Sequence, residues 1–280
     1  MIVTSTQPSG GFRWVQLGTL SALVCLPVQP FADHFFTTRE WRLGEPRQDA
    51  ADGWIQVAAH ASVPVERLGR LRQVHGTDVV TYKQGQQIPG GVTPTGDIVL
   101  TDNPSVALAV QTADCVPMLV VDRRTHTVAA AHAGWRGLAA RVPVVVIDRM
   151  VSDVGCRRED LLVAIGPSIG ACCYEVGEDV RARFIDERFS PSQTERWFRP
   201  EPASLAVNPP LPSVSHQQRQ DHWFFDGWTS TREQLASAGV PPGQIFGADL
   251  CTASHESVFC SYRRDGAGAG RMAAIIRSNS

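Results

Sequence analysis

The stretch DIVLTDNPSVALAVQTADCVPMLVVDRRTHTVAAAHAGWRG, residues 97–137, decides how the rest of the chain is read. Short apolar runs alternate with Asn, Pro, Asp and Gly turn residues, which predicts strands over Asp97–Thr101, Val106–Val110, Val116–Asp122 and Thr127–His132. Several of these runs are apolar throughout, the pattern of strands covered on both faces. Beyond His132 the apolar residues Leu138, Val142, Val146 and Met150 follow helical spacing. Pro143 interrupts that pattern, so a helix either starts near Val142 with proline in its first turn or is kinked there.

Working outward, Leu161–Gly166 reads as a strand stopped by Gly166-Pro167, and Glu178–Phe189 and Asp226–Gly239 read as amphipathic helices. Gln244–Leu250, Val258–Tyr262 and Arg271–Ile276 read as closing strands. Arg199–Pro212 holds five prolines and predicts a surface loop over 199–212. Upstream, Leu17–Val28 has the length of a signal-peptide core but no strongly basic start and no clear cleavage site, so it is expected to be a buried element. Strands and helices mixed along the whole length predict an α/β or α+β sandwich, and no linker divides it, so residues 1–280 are expected to form one domain.

Composition narrows the function. The chain has 280 residues, 43% of them hydrophobic, which suffices for a sizeable core. A net charge of −2 makes no case for nucleic acid or an anionic membrane as partner. No run of about 18 apolar residues predicts a membrane span. The seven cysteines are an odd number in a large chain, which points to reduced thiols and a cytoplasmic setting rather than a disulfide scaffold. Lys83 is the single lysine among 26 basic residues, so arginine, the better fork for carboxylate or phosphate, supplies nearly all the cations.

Several familiar motifs are absent. Gly266-Ala-Gly-Ala-Gly270 does not match the dinucleotide fingerprint and too little chain follows it for a βαβ unit. There is no Walker lysine, nucleophile elbow or zinc-deaminase signature, and Cys172-Cys173 are adjacent rather than spaced as a zinc or thioredoxin pair. What remains is a constellation: Gln73-Val-His75-Gly76, Ala113-Asp-Cys115-Val-Pro117 and Ala131-His132-Ala-Gly-Trp-Arg136-Gly137. Each of His75, Cys115 and His132 sits at the edge of a predicted strand beside a Gly or Pro turn, where side chains project from a rigid sheet into loops. Two imidazoles and a thiolate make a three-ligand zinc set with one open position. The same residues also suit a metal-free site with Cys115 as nucleophile and His132 as base, or ordinary structural roles; spacing does not separate these readings. Asp97 and Asp114 flank the site strands as acid/base groups, orienters of a ligand, or turn residues, and Asp114 is also a candidate substrate-binding residue. Arg136 and Arg264 are candidate phosphate holders, Cys172 a candidate pocket residue, and Trp135 and Tyr174 candidate stacking surfaces.

At these residues the chain resembles the laccase-domain family, long described as polyphenol oxidases and now as purine nucleoside phosphorylases. The matching blocks are RQVHGTDVV (72–80), GDIVLT (96–101), TADCVPMLVVD (112–122), AAHAGWRGL (130–138), AIGPSIGACCYEVGEDV (164–180), ADLCT (248–252) and FCSYRRDGAGAGRMAAII (259–276), in family order. Residues 1–40 match less well, and Thr231 stands where the family usually has Asn. The resemblance implies a four-layer sandwich with mixed β-sheets and a zinc held by His75, Cys115 and His132. It also implies phosphorolysis of adenosine, inosine and methylthioadenosine to free base and ribose 1-phosphate, with adenosine deamination as a further activity. Copper-dependent phenol oxidation and editing of peptidoglycan precursors are alternatives linked to the family. A full multicopper centre needs many more histidines than His34, His60, His75, His126, His132, His216, His222 and His255, none of which forms an H-x-H pair, so zinc is expected over copper.

Overall fold

The structure, a computed structural model, describes residues 6–44, 50–86, 88, 93–214 and 219–279. In chain order the strands are β1 (Phe12–Leu17), β2 (Leu20–Cys25), β3 (Ala32–Thr37), β4 (Leu68–Arg70), β5 (Val79–Tyr82), β6 (Ile98–Thr101), β7 (Ala107–Thr112), β8 (Val116–Asp122), β9 (Val128–Ala133), β10 (Leu161–Ile165), β11 (Glu175–Gly177), β12 (Phe198–Arg199), β13 (His222–Phe225), β14 (Ile245–Gly247) and β15 (Met272–Ser278). The helices are α1 (Ala50–His60), α2 (Trp135–Ala139), α3 (Val142–Val154), α4 (Glu178–Asp186), α5 (Pro191–Trp197), α6 (Gly227–Ser237) and α7 (Tyr262–Asp265). One sheet runs β1-β2-β3-β15-β7-β4 and a second runs β14-β10-β8-β9-β6-β5; both are mixed, with parallel pairs only at their edges. A small antiparallel sheet, β11-β13-β12, lies beside α4 and α5.

Side-chain alternation sorts the apolar residues into layers. Along β8, Val116, Met118 and Val120 face one way, where they pack with Val142, Val146, Ile147 and Met150 of α3 and Leu235 of α6. Leu119 and Val121 face the other way and meet Leu108 and Val110 of β7, Phe36 of β3 and Ile276 of β15 from the opposing sheet. The outer face of that sheet, through Phe35, Ala107, Ala109 and Ile275, covers Trp54, Val57 and Ala58 of α1. The order is therefore helix, sheet, sheet, helices: the expected four-layer α/β sandwich.

The four strands read from residues 97–137 are all present, displaced by a residue or two at their ends. The helical run after His132 divides in two. Arg141, in the left-handed region at φ 63°, turns the chain between α2 and α3, and Pro143 sits in the first turn of α3, where its missing N–H costs nothing. Val258–Tyr262 is not a strand, contrary to expectation. The backbone N–H groups of Val258 and Phe259 turn back to His255 O, and Ser261 caps α7 by accepting from Arg264 N. The strand expected over Gln244–Leu250 shortens to β14. Leu17–Val28 is the buried element expected, with β2 at its centre. The segment 1–40, described from Thr6, builds half of one sheet: β3 pairs with β15 along Ala32–Phe36. The proline-rich segment forms no strand or helix beyond Arg199, yet Asn208 within it is buried and ties to Asp249 O and Cys251 N.

Candidate metal centre

The second sheet ends in three turns that face one another. His75 lies in the loop between β4 and β5, Cys115 stands immediately before β8, and His132 is near the end of β9. Pro117 is paired with His132 in the ladder, which brings the Cys115 turn beside the histidine. One ligand atom from each of the three residues lies within 4.8 Å of the others. Cys115 Sγ is 3.8 Å from His75 Nε2, and the two imidazoles meet edge-on with centroids 5.0 Å apart. Burial is graded, from exposed His75 through Cys115 to buried His132, so the group opens to solvent on the His75 side.

Asp97 organises two of the three. Its fully buried carboxylate accepts from the backbone N–H of Val74 at 3.1 Å, His75 at 3.1 Å and Gly76 at 2.7 Å, which folds the β4–β5 loop around it. The same carboxylate takes His132 Nδ1–H at 2.9 Å, leaving Nε2 as the ring's ligand atom. Burial pushes the Asp97 carboxyl up, but His132 and these N–H groups outweigh it and hold the pKa below the ordinary value. His75 and Asp114 both carry positive φ, 62° and 92°, so the backbone is strained on two sides of the site. Gln73 clamps the loop to β7: its amide donates to Gln111 O at 2.8 Å and accepts from Gln111 N at 2.7 Å.

Electrostatics prepares the thiol. Burial alone raises the Cys115 pKa, but the neighbouring His132 and His75 bring it down to about 6. His132 moves the other way: burial lowers it, while Cys115 and Asp97 hold it up at about 9. The two shifts have one cause: the neighbouring imidazole favours the thiolate, and the thiolate favours the protonated imidazole. The site accommodates a divalent ion: two nitrogens and one sulfur converge at the mouth of a cavity, and a Cβ at Gly134 would stand 2.8 Å from Cys115 Sγ and 2.9 Å from His75 Cδ2, so only glycine leaves the ligands their room.

The cavity above these residues has a volume of about 610 Å³. Arg72, Arg136, Arg263 and Arg271 stand on its wall, with Trp135, Tyr174 and Tyr262. The Arg136 guanidinium lies 4.2 Å above the Trp135 ring, and among the described residues no carboxylate pairs with it. Arg263 donates to Glu175 O and stands 5.0 Å over the Tyr174 ring. Asp114 also lines the cavity, but its carboxylate is occupied: Thr252 Oγ1 donates to it at 2.6 Å and Arg263 N at 2.6 Å. It anchors the start of α7.

Two of the sequence candidates lie elsewhere. Arg264 turns away from the cavity. Its guanidinium is buried and donates to Thr252 O, Ala253 O and Phe259 O at 3.0–3.1 Å, besides pairing with Asp265. Its neighbour Arg263 takes the wall position. In a one-turn helix adjacent residues point about 100° apart, and the bond that Arg263 N–H donates to Asp114 fixes which of the two faces inward. No pattern in Ser261-Tyr-Arg-Arg-Asp265 distinguishes them. Cys172 is packed behind the cavity with Cys173 and Cys251.

Comparison with known proteins agrees with this architecture. The model for multi-copper polyphenol oxidoreductase laccases matches residues 40–279. The chain belongs to this family. It is 33% identical over 239 residues to the purine nucleoside phosphorylase YlmD of Geobacillus stearothermophilus, covering 84% of this chain and 80% of that one. It is 36% identical over 206 residues to the purine nucleoside phosphorylase YfiH of Escherichia coli K12, covering 74% and 72%. The crystal structure of the G. stearothermophilus YlmD superposes with a TM-score of 0.79 at 28% identity, covering 95% of this chain and 99% of that chain. The copper in the family description finds no multinuclear centre among the described residues. Among the described residues, His75 and His132 are the only histidines in a ligand cluster; His216 lies outside them.

Proposed function

We propose that this family member is a zinc-dependent purine nucleoside phosphorylase, converting adenosine, inosine and methylthioadenosine to free base and ribose 1-phosphate, with adenosine deamination in the same cavity. The observation that carries the reading is the placement of His75, Cys115 and His132 at the mouth of a cavity whose wall holds Arg136, which has no carboxylate partner among the described residues. The relatives named purine nucleoside phosphorylase support it. His75, Cys115 and His132 would hold the ion, and zinc when bound supplies Lewis acidity beside an open position. Asp97 keeps His132 in its ligating tautomer. Arg136, with Arg263 beside it, holds the phosphate dianion for attack on the anomeric carbon, and fixed cations of this kind stabilise charge without reorganising. Trp135, Tyr174 and Tyr262 offer flat apolar surface to the purine. Burial, with the Cys115 charge nearby, pushes the Tyr174 phenol up, so it stays protonated as a hydrogen-bond donor in the cavity.

The test incubates metal-loaded protein with adenosine or inosine, with and without phosphate, and separates the products by chromatography. Phosphate-dependent release of adenine or hypoxanthine is expected, together with inosine formation from adenosine. Arg136→Ala is expected to raise the KM for phosphate by about 10- to 100-fold, the worth of a charge-assisted hydrogen bond. If no base or inosine appears and Cys115→Ala behaves the same, the proposal is wrong.

One observation favours a second reading. Cys115, His132 and Asp97 stand in the order of a nucleophile, base and orienting carboxylate, which suits a metal-free amide hydrolase. Metal content discriminates: stoichiometric zinc lost with Cys115→Ser supports the phosphorylase, whereas a metal-free protein inactivated by alkylation of Cys115 supports the hydrolase. Seven cysteines, all thiols, fit a reducing compartment, and among the described residues no helix is long and apolar enough to cross a membrane; we place the protein in the cytoplasm.

A further inference from the structure

Behind the cavity lies a second cluster of ligand atoms that the proposed reaction does not use. The thiols of Cys172, Cys173 and Cys251 all lie within 4.8 Å of one another, and the three residues are at most 2% exposed. They come from two distant segments joined by the bridge between Ser168 and Cys251. Buried cysteines usually act as small apolar side chains. These three turn toward each other, and polar groups surround them. Ser254 Oγ is 3.5 Å from Cys172 Sγ and 3.4 Å from Cys173 Sγ, and Gly170 N–H points at Cys251 Sγ with 3.3 Å between the heavy atoms. Ser254 in turn donates to Pro209 O at 2.7 Å, which brings the proline-rich segment over the cluster. Cys25 and Cys156 offer a contrast: both are buried, and among the described residues neither belongs to a ligand cluster.

We infer that Cys172, Cys173 and Cys251 form a second, structural metal site for a thiophilic closed-shell cation, zinc(II) or copper(I), with the Ser254 hydroxyl as the available fourth donor. Soft thiolates without imidazole select these ions, and a closed, buried set is the structural type rather than the catalytic one. Each coordinating thiol releases its proton to solvent, and no electron is transferred. The loop that carries Cys251 and Ser254 is itself held, since Arg264 donates to the carbonyls of Thr252 and Ala253. The site would also brace the catalytic cavity, because Thr252 follows Cys251 and holds Asp114, and Tyr174 follows Cys173. The inference does not depend on the reaction proposed above.

The test uses the full chain carrying H75A and C115S, which disables the first centre. The reduced, chelator-stripped protein is loaded with zinc(II), or anaerobically with copper(I), desalted, and its metal counted by mass spectrometry. One retained ion per chain is expected in at least one arm, and the arms distinguish the two cations. Adding C251S is expected to lower retention at least tenfold. Because that variant could unfold, X-ray absorption of the loaded H75A/C115S protein gives a separate reading: a three-sulfur shell, at about 2.3 Å for zinc. No retained ion while the remaining thiols titrate as reduced, or a shell of nitrogen and oxygen only, overturns the inference.

Discussion

Asp97 holds the backbone of His75 and the ring of His132 at once, so its loss acts on two of the three donors. Asp97→Asn keeps the shape but offers an amide where two acceptor oxygens are needed. Metal affinity is expected to fall about 10- to 100-fold, read by competition with a chromophoric chelator; unchanged affinity would refute the organising role. Cys115 permits a pH test. Its thiol, held at about 6, is ionised above that pH and protonated below it. Alkylation of metal-free protein at Cys115 should therefore lose rate as pH falls through about 6, whereas an ordinary thiol loses it near about 8.5. His132→Ala removes the largest stabilising charge, and the midpoint should move up; a midpoint indifferent to His132 would contradict the pairing.

At the scale of elements, two glycines at helix ends test different physics. Gly134 precedes α2 with φ −73°, a conformation any residue adopts, yet a Cβ there would crowd Cys115 and His75. Gly134→Ala should weaken metal retention while leaving the helical circular-dichroism signal intact. Gly155 ends α3 at φ 69°, and a Cβ there meets nothing within 4 Å. Gly155→Ala should cost about 1 kcal/mol through backbone conformation alone, seen as a lower urea midpoint with full metal binding. Equal effects of both variants on metal would show that the Gly134 argument is misplaced. The left-handed Arg141 between α2 and α3 has its own support: the guanidinium lies 3.7 Å from the Phe189 ring centroid and donates to Glu187 O at 2.9 Å.

For the whole molecule, the interface between the two large sheets carries the fold. Phe36 of β3 is 2% exposed, packs beside Phe12, and stands where a Cβ on Gly166 would collide with its ring. Phe36→Ala leaves a cavity at this contact and should cost about 3–5 kcal/mol, measured by denaturant unfolding. A loss under about 1 kcal/mol would mean that β1–β3 contribute little to the core. The architecture places the candidate metal centre at one end of the second sheet, where β8 and β9 are buried and the end of β9 and the neighbouring turns reach the cavity. This division of labour lets strained residues such as His75 and Asp114 persist.

What the sequence determined by itself was local or contiguous. Apolar runs specified β6 to β10, helical spacing specified α4 and α6, and the blocks around His75, Cys115 and His132 marked the site. Tertiary structure decided what depends on direction and on distant pairing. It chose Arg263 over Arg264 for the cavity wall, because a hydrogen bond donated to Asp114, far away along the chain, sets the rotation of a one-turn helix. It gathered Cys172 with Cys173 and Cys251, took β1–β3 into the sheet through β15, and denied Val258–Tyr262 a strand partner. Periodicity records which face a side chain shares with its near neighbours; which partner that face meets is settled only when remote segments pack, since burial and hydrogen bonding are satisfied by the whole fold together.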